Sequence, residues 1–361
     1  LKKVLVNLLK YGCSAAIIAY LVWDARTNDS FGDLWSQPKR WDILAAAWMF
    51  CMASVVVTIV RWYYLVRALD LPFSMKDAFR LGFLGYLLNF VSLGSVGGDL
   101  FKAVFIAKEH HRNRAQAVAT VVIDRIIGLF ALFIVATVAI LVTNMMSSPV
   151  REVQVICRAT LIGMGVGTIC VILLLTPGFS QGRFSELLGR TPRVGPTIAK
   201  LLLAVRMYRR RLPVLVFTTV MSVGVHLLAA VGIYLVGRGL GGQVPSLGDH
   251  FVIVPMGMLV GVLPLPMSGL GAFEAVMEFF YTHVASSVEV SKGQGLVVAF
   301  GYRIITVTIA IVGVFYYLSS RREVAEVLHE SEEVVPELET PLDGTVVCSP
   351  LPLGVEAAAQ G

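Results

Sequence analysis

Charge is scarce in this chain. Only 15% of its 361 residues are Asp, Glu, Lys or Arg, against roughly 25% in an average soluble domain. With 56% hydrophobic residues and a mean hydropathy of +0.76, there is too little polar surface to cover a cytosolic globule. A soluble enzyme is excluded, and so is disorder over most of the length. Cysteine is sparse as well. Cys13, Cys51, Cys157, Cys170 and Cys348 show no CxxC or comparable spacing, so neither a disulfide framework nor a zinc site is expected, and the four in apolar runs read as small hydrophobic fillers. The chain has no GxSxG, HExxH, Walker or dinucleotide-binding pattern. Its acids are scattered, and no extramembrane segment reaches the 50 or so residues of a small domain. It is therefore not expected to be an enzyme or to need a cofactor or metal. The net charge of +6 lies between apolar runs, where cytoplasmic loops require it. No nucleic-acid partner is expected.

Apolar sequence is abundant. Runs long enough to cross a membrane, about 20 residues each, occur at 4–23, 42–64, 116–143, 156–176, 212–237 and 294–318. The first has no small-residue cleavage site before DARTND and reads as an uncleaved span. Two further apolar regions, 78–101 and 250–284, are broken by Gly and Pro. Basic residues gather at Lys2, Lys3 and Lys10, at Arg61, Arg67, Lys76 and Arg80, at Lys102, Lys108, Arg112 and Arg114, and at Arg321 and Arg322. Eight more lie between 178 and 211, where Glu186 is the sole acid. The opposite side has Arg26, Lys39, Arg40, Arg151, Arg158, Arg238 and Lys292. This bias places both termini in the cytoplasm of a multi-pass inner-membrane protein.

The same bias makes 78–101 enter and leave from the cytoplasm, and 250–284 enter and leave from outside. Each is a re-entrant hairpin or a pair of short tilted helices. Irregular backbone at membrane depth is tolerated only when buried in protein or lining a cavity. Two broken elements from opposite faces are a recurrent construction of transport pathways; ordinary kinked helix pairs are the alternative. The expected fold is all-α and polytopic, with about six full transmembrane helices plus two re-entrant or broken hairpins, in a membrane domain over 1–322. The glutamate-rich segment 323–361 reads as a short helix and a disordered cytoplasmic tail. Within the long basic loop, Ile198 to Leu212 is amphipathic, with Leu201, Leu202, Val205 and Met207 among Lys200, Arg206, Arg209, Arg210 and Arg211. It is expected along the inner interface, against anionic headgroups.

Three features carry chemistry. In Asn89-FVSLGSV-Gly97-Gly98-Asp99-LF-Lys102, the glycines allow a sharp turn and close backbone approach. Exposed amides at a helix start with Lys102 nearby suit a phosphate; Asp99 as a helix cap is the alternative. In Pro264-LPM-Ser268-Gly269-L-Gly271-AF-Glu274, the prolines end a helix and Glu274 falls in the first turn of the next, with Glu278 one turn on. Finally, Asp124, Arg125 and Arg303 interrupt membrane spans. Charge at that depth costs upward of about 2.5 kcal/mol and is paired or lines a polar cavity. Arg125 and Arg303 either hold a lipid phosphate, which a guanidinium matches bidentately, or pair with Asp99, Asp124 or Glu274. His226 and His283 read as polar core contacts, and His110 and His111 as part of a solvated loop.

Four of these motifs together resemble the flippase-like membrane family found as the transmembrane region of bacterial lysylphosphatidylglycerol synthases and as stand-alone proteins. They are GSVGGDLFKA (94–103), VVIDRIIGLFAL (121–132), PLPMSGLGAFE (264–274) and the Tyr302-Arg303 pair, and the resemblance covers residues 5–322. It implies a lipid-translocating unit whose pathway includes Gly97, Gly98, Asp99, Lys102, Asp124, Arg125, Ser268, Gly269, Gly271, Glu274 and Arg303. In the synthases such a unit moves aminoacylated phosphatidylglycerol between leaflets. Many members have a proline before the first Gly motif, where this chain has Leu93. Residues 323–361 cannot supply the synthases' soluble aminoacyl-transfer domain, so aminoacylation is not expected. The expected function is flipping of an anionic or isoprenoid-type lipid, with membrane lipids as partners. The alternatives are a scaffold for a partner aminoacyl- or glycosyltransferase, whose arginines are fully ion-paired, and a small-solute transporter, whose cavity is closed to lipid.

Overall fold

The computed structural model describes residues 38–91, 97–109, 114–176, 195–262, 271–284 and 290–319. The expected first span, 4–23, and the segment 323–361 lie outside them. All regular structure among the described residues is helical: α1 (Trp41–Ala68), α2 (Met75–Val91), α3 (Gly97–Glu109), α4 (Arg114–Val142), α5 (Arg151–Leu175), α6 (Gly195–Tyr208), α7 (Leu212–Leu240), α8 (Leu247–Val262), α9 (Ala272–Val284) and α10 (Gln294–Ser319), with short 3₁₀ turns at 145–147 and 209–211. The spans α1, α4, α5, the α6–α7 run over Leu202–Leu240, and α10 are long and apolar enough to cross a membrane. The two Gly/Pro-broken regions are the helix pairs α2/α3 and α8/α9.

One sequence assignment changes. Arg61 and Arg67, expected in a basic loop, belong to α1, which continues through both to Ala68. The apolar residues Trp62, Leu65 and Val66 that follow Arg61 are buried, so continuing the helix satisfies their backbone groups while burying their side chains. The loop shrinks to 69–74 and ends where Ser74 and Asp77 cap α2. The Asp77 carboxylate accepts from the Ser74 amide (3.3 Å) and Ser74 Oγ accepts from the Asp77 amide (3.2 Å), a reciprocal capping box.

Helices α1 and α7 form the axis of the molecule. They lie antiparallel along their whole length. At one end the Arg40 amide donates to Gly239 O (2.9 Å); near the middle Cys51 faces Gly232; further on Arg61 reaches Ser222 (2.6 Å); at the other end Arg211 pairs with Asp70 (2.6 Å). The remaining helices wrap this pair, and α4, α8, α9 and α10 close the core. Helix α5 is attached from one side, with most of its apolar surface facing outward. That is stable only in lipid, where outward apolar side chains are solvated. The amphipathic stretch before α7 packs onto protein: Leu202, Val205 and Tyr208 are buried, and Tyr208 Oη donates to Leu65 O (2.7 Å).

The α1–α7 contact is close because Gly232 carries no side chain. A Cβ there would lie 2.6 Å from Cys51 Sγ, whereas one on Gly224 of the same helix would meet nothing within 4 Å. Gly232→Ala is expected to destabilise the protein by about 1–3 kcal/mol through overpacking, and Gly224→Ala to leave it unchanged or raise it by up to about 1 kcal/mol through helix propensity. Thermal unfolding of the two purified variants in one detergent measures the difference.

Candidate functional site

Three helices, α1, α3 and α4, bring charge to membrane depth in one place. Arg61 of α1 is buried and makes a fork with Asp124 of α4, Nε to Oδ1 and Nη2 to Oδ2, both at 2.9 Å. Its Nη1 donates to Ser222 Oγ of α7 at 2.6 Å. The bidentate pair is the strongest geometry available to these groups, and it binds three helices. The sequence reading named Asp124 but placed Arg61 in a loop. The signal that could have found it is the run WYYLV after Arg61, which continues the apolar helix.

The adjacent residue, Arg125, points elsewhere. Its Nε donates to Asp99 Oδ2, and Lys102 approaches the other oxygen of Asp99 at 3.8 Å while lying 5.1 Å over the Trp62 ring. Asp99 answers both cations, and among the described residues no amide of its own helix donates to it. The Gly98 amide in the first turn of α3 donates instead to Asn89 Oδ1 of α2 at 3.1 Å. Gly98 itself is required by proximity, since a Cβ there would collide with the Gly85 carbonyl oxygen. The α2/α3 pair is thus pinched together at Gly85 and Gly98, and the pinch presents Asp99 and Lys102 to α4. Gly97 opens α3.

These groups line one polar cavity of about 460 Å³. Asn89, Asp99 and Lys102 form one wall, Arg61, Asp124 and Arg125 a second, and Ser54, Thr58, Tyr86, His226 and Tyr302 contribute to the rest. Three cations face two carboxylates. His226 Nε2 lies 3.0 Å from Gly128 O, which places the proton on Nε2. Its Nδ1 is buried without a hydrogen-bond partner among the described residues. Beside the cavity runs an apolar groove of about 320 Å³ lined by Ile123, Ile127, Phe130, Val171, Leu175, Val216 and neighbours. Ile126 belongs to both.

Gly271, Glu274 and Arg303 form a separate cluster. Glu274 is fully buried. Its Oε2 accepts from the Gly271 amide (2.7 Å) and its Oε1 from Arg303 Nε (2.8 Å). The cap and the ion pair coexist on one carboxylate. Gly271 takes φ 90°, a conformation that favours glycine, and Arg303 lies 5.6 Å over the Phe273 ring. Glu278 is a cap for the next helix, accepting from the Gly293 (2.6 Å) and Leu296 (3.1 Å) amides. Ser268 and Gly269 lie outside the described residues. Arg303 does not line the polar cavity, but its neighbour Tyr302 does. Among the described residues no group of His, Cys, Asp and Glu could hold a metal ion.

Residues 7–313 match the model of the lysylphosphatidylglycerol synthase TM region. The chain belongs to this family. It is also similar to a UPF0104 membrane protein of Methanothermobacter thermautotrophicus, 24% identical over 254 residues that cover 66% of this chain and 74% of that one. Membership and the five spanning helices together make this a multi-pass membrane protein of the lysylphosphatidylglycerol synthase membrane-region family.

The ion pairs differ in how deeply they are set. Arg61 and Asp124 have side chains only 6% and 12% exposed, whereas Arg125 is 47% exposed. Removing one partner of a buried pair strands the other charge, at about 3–5 kcal/mol, while replacing both by apolar residues is near neutral. Arg61→Met is therefore expected to lower thermal stability sharply and Arg125→Met only slightly. The double variant Arg61→Met/Asp124→Leu should recover most of the loss, as read by melting and by monodispersity in detergent.

Proposed function

We propose that this chain moves a lipid with an anionic headgroup, phospholipid or isoprenoid-type, from one leaflet of the cell's inner membrane to the other, without covalent chemistry of its own. The observation that carries the reading is the shared wall at Ile126. A polar cavity with an excess of cationic groups adjoins an apolar groove whose Val216 and Val220 are largely exposed on the lipid side. A headgroup and an acyl or prenyl chain need those two environments side by side. A small solute needs a cavity enclosed from lipid.

In this mechanism the headgroup phosphate takes the place of the Asp99 carboxylate on Arg125 and Lys102. Both ligands offer planar or tetrahedral oxygens to the same donors, so the guanidinium exchanges one charge-assisted pair for another. The tail stays in the groove and in lipid. The Arg61–Asp124–Ser222 fork holds α1, α4 and α7 in place beneath the exchange. The family's synthase members pair such a membrane region with lipid modification, which supports a lipid substrate.

A second reading follows from the pairing itself. Arg61, Arg125 and Arg303 each have a carboxylate partner, as expected of an accessory subunit that positions a partner transferase and carries nothing through the membrane. A leaflet-resolved assay in proteoliposomes separates the two. Fluorescent phosphatidylglycerol, aminoacylated phosphatidylglycerol and a polyprenyl phosphate are offered to wild type, Arg125→Ala and Arg303→Ala. Translocation of one of these, lost by at least about tenfold in both folded variants as expected for removal of a charged contact worth 1.5–3 kcal/mol, is the expected result. Absence of translocation for all three favours the accessory role, and co-purification of a transferase then becomes the decisive measurement.

A further inference from the structure

The chain contains the same structural unit twice. Helices α1–α4 have 28, 17, 13 and 29 residues, and α7–α10 have 29, 16, 13 and 26. The second helix of each unit opens with the same reciprocal cap. Ser74-x-x-Asp77-x-Phe79 is matched by Ser246-x-x-Asp249-x-Phe251, and the Ser246 amide donates to Asp249 Oδ2 (3.0 Å) while the Asp249 amide donates to Ser246 Oγ (3.1 Å). The connecting segments 69–74 and 241–246 are of equal length. In each unit the second and third helices form the broken pair. In each, the third residue of the third helix is an acid, Asp99 or Glu274. Each acid pairs with an arginine of the fourth helix, 26 residues on for Arg125 and 29 for Arg303.

The packing has the matching symmetry. Helix α2 packs on α10 and α8 on α4, so each unit's second helix meets the other's fourth. Helices α1 and α7 meet each other across the axis, antiparallel. The start of each is tied to the end of the other, through Arg40 to Gly239 and Lys39 to Leu240 at one end, and through Arg211 to Asp70 at the other. Exchange of partners together with antiparallel axial helices defines a twofold lying across the spans. Helices α5 and α6 join the units and have no counterpart among the described residues.

The two acid–arginine pairs are equivalent by fold but not by state. Arg125 is 47% exposed beside its cavity, whereas Arg303 is 19% and Glu274 1% exposed. We propose that residues 41–142 and 212–319 are an internal inverted repeat, and that Glu274–Arg303 is a second, presently closed anion site, the counterpart of Asp99–Arg125, which opens toward the other face as the first closes. The ligand class is a phosphate-bearing headgroup. That clause rests on the lipid reading above; the coupled opening does not. Two units of one fold can exchange conformations at little net cost, because each state repeats the contacts of the other with the units swapped.

The test uses the full chain, freed of its five cysteines, in nanodiscs of phosphatidylcholine. Single reporters are Thr58→Cys in the open cavity, Ala275→Cys beside Glu274, and Gly224→Cys on the outer face of α7, each labelled with a membrane-impermeant thiol reagent. Loosening the closed pair with Glu274→Gln is expected to raise labelling at position 275 and lower it at 58 by about fivefold or more, the lower range of allosteric coupling, with 224 unchanged. Arg303→Lys keeps the charge and must move the same two reporters in the same opposite directions, which guards against a misfolded Glu274→Gln. A rise at 275 with 58 unchanged, or no change at either in Arg303→Lys, overturns the proposal. No transported lipid is present in this assay. Coupled labelling alongside a flippase assay that fails keeps the repeat and removes the lipid reading, and translocation with uncoupled labelling does the reverse.

Discussion

A guanidinium at membrane depth has to be answered by an acceptor, and the arrangement of this molecule follows from how that is done three times. The Arg61–Asp124 fork with Ser222 is the deepest answer. It uses three of the guanidinium's donors and joins α1, α4 and α7, the helices around which the others pack. In hydrocarbon no water competes for these groups. A partner lost from this fork cannot be replaced, and the three helices are held in one register. With that frame fixed, Arg125 on the next residue of α4 is directed to the α2/α3 pair, and the cavity between them has a constant floor.

The membrane class, the spans from residue 41 onward and the two broken regions were legible in composition and hydropathy, because the bilayer imposes a length and a polarity that local sequence cannot evade. The acids and arginines of the site were legible for the same reason: charge in an apolar run is conspicuous. Their partners were not. Asp99, Asp124 and Glu274 were all available to Arg125 and Arg303, and sequence offered no basis for choosing among them. The choice depends on Asn89 taking over the capping of α3 and on Gly85 and Gly98 setting the distance between α2 and α3, both of which are tertiary facts. Arg61 was missed because a basic residue near a span end reads as a loop signal. Only the buried aromatic and aliphatic residues after it, Trp62, Leu65 and Val66, show that the helix had not ended.

The internal repeat was hidden for a different reason. The two units share a six-residue cap pattern and the position of one acid and one arginine, and little else that can be aligned by eye. Side chains facing lipid need only be apolar, so they drift. Caps at helix starts and charge pairs at depth are held by geometry, and those are the features that match. The sequence between the second pair has Pro264 and Pro266, where that between the first has glycine and no proline.

The three ion pairs divide the work between rigidity and exchange. A headgroup that entered by breaking Arg61–Asp124 would have to strand a buried charge or carry the aspartate with it, at a cost of several kcal/mol. Arg125 is different. It is nearly half exposed, and its carboxylate sits on a short helix of the broken pair rather than on a long span. A phosphate replacing Asp99 there keeps the number of opposite-charge contacts constant, and the Asp99 carboxylate can turn toward Lys102 of the same helix without uncovering Arg61. Glu274 sits in the same position on α9, also a short helix, and among the described residues its carboxylate is held in addition by the Gly271 amide. In both units the movable carboxylate is thus carried by the short helix and the arginine by the long one. Under the lipid reading, this is the arrangement that lets a charged headgroup advance while the spanning helices, and the fork that joins them, stay where they are.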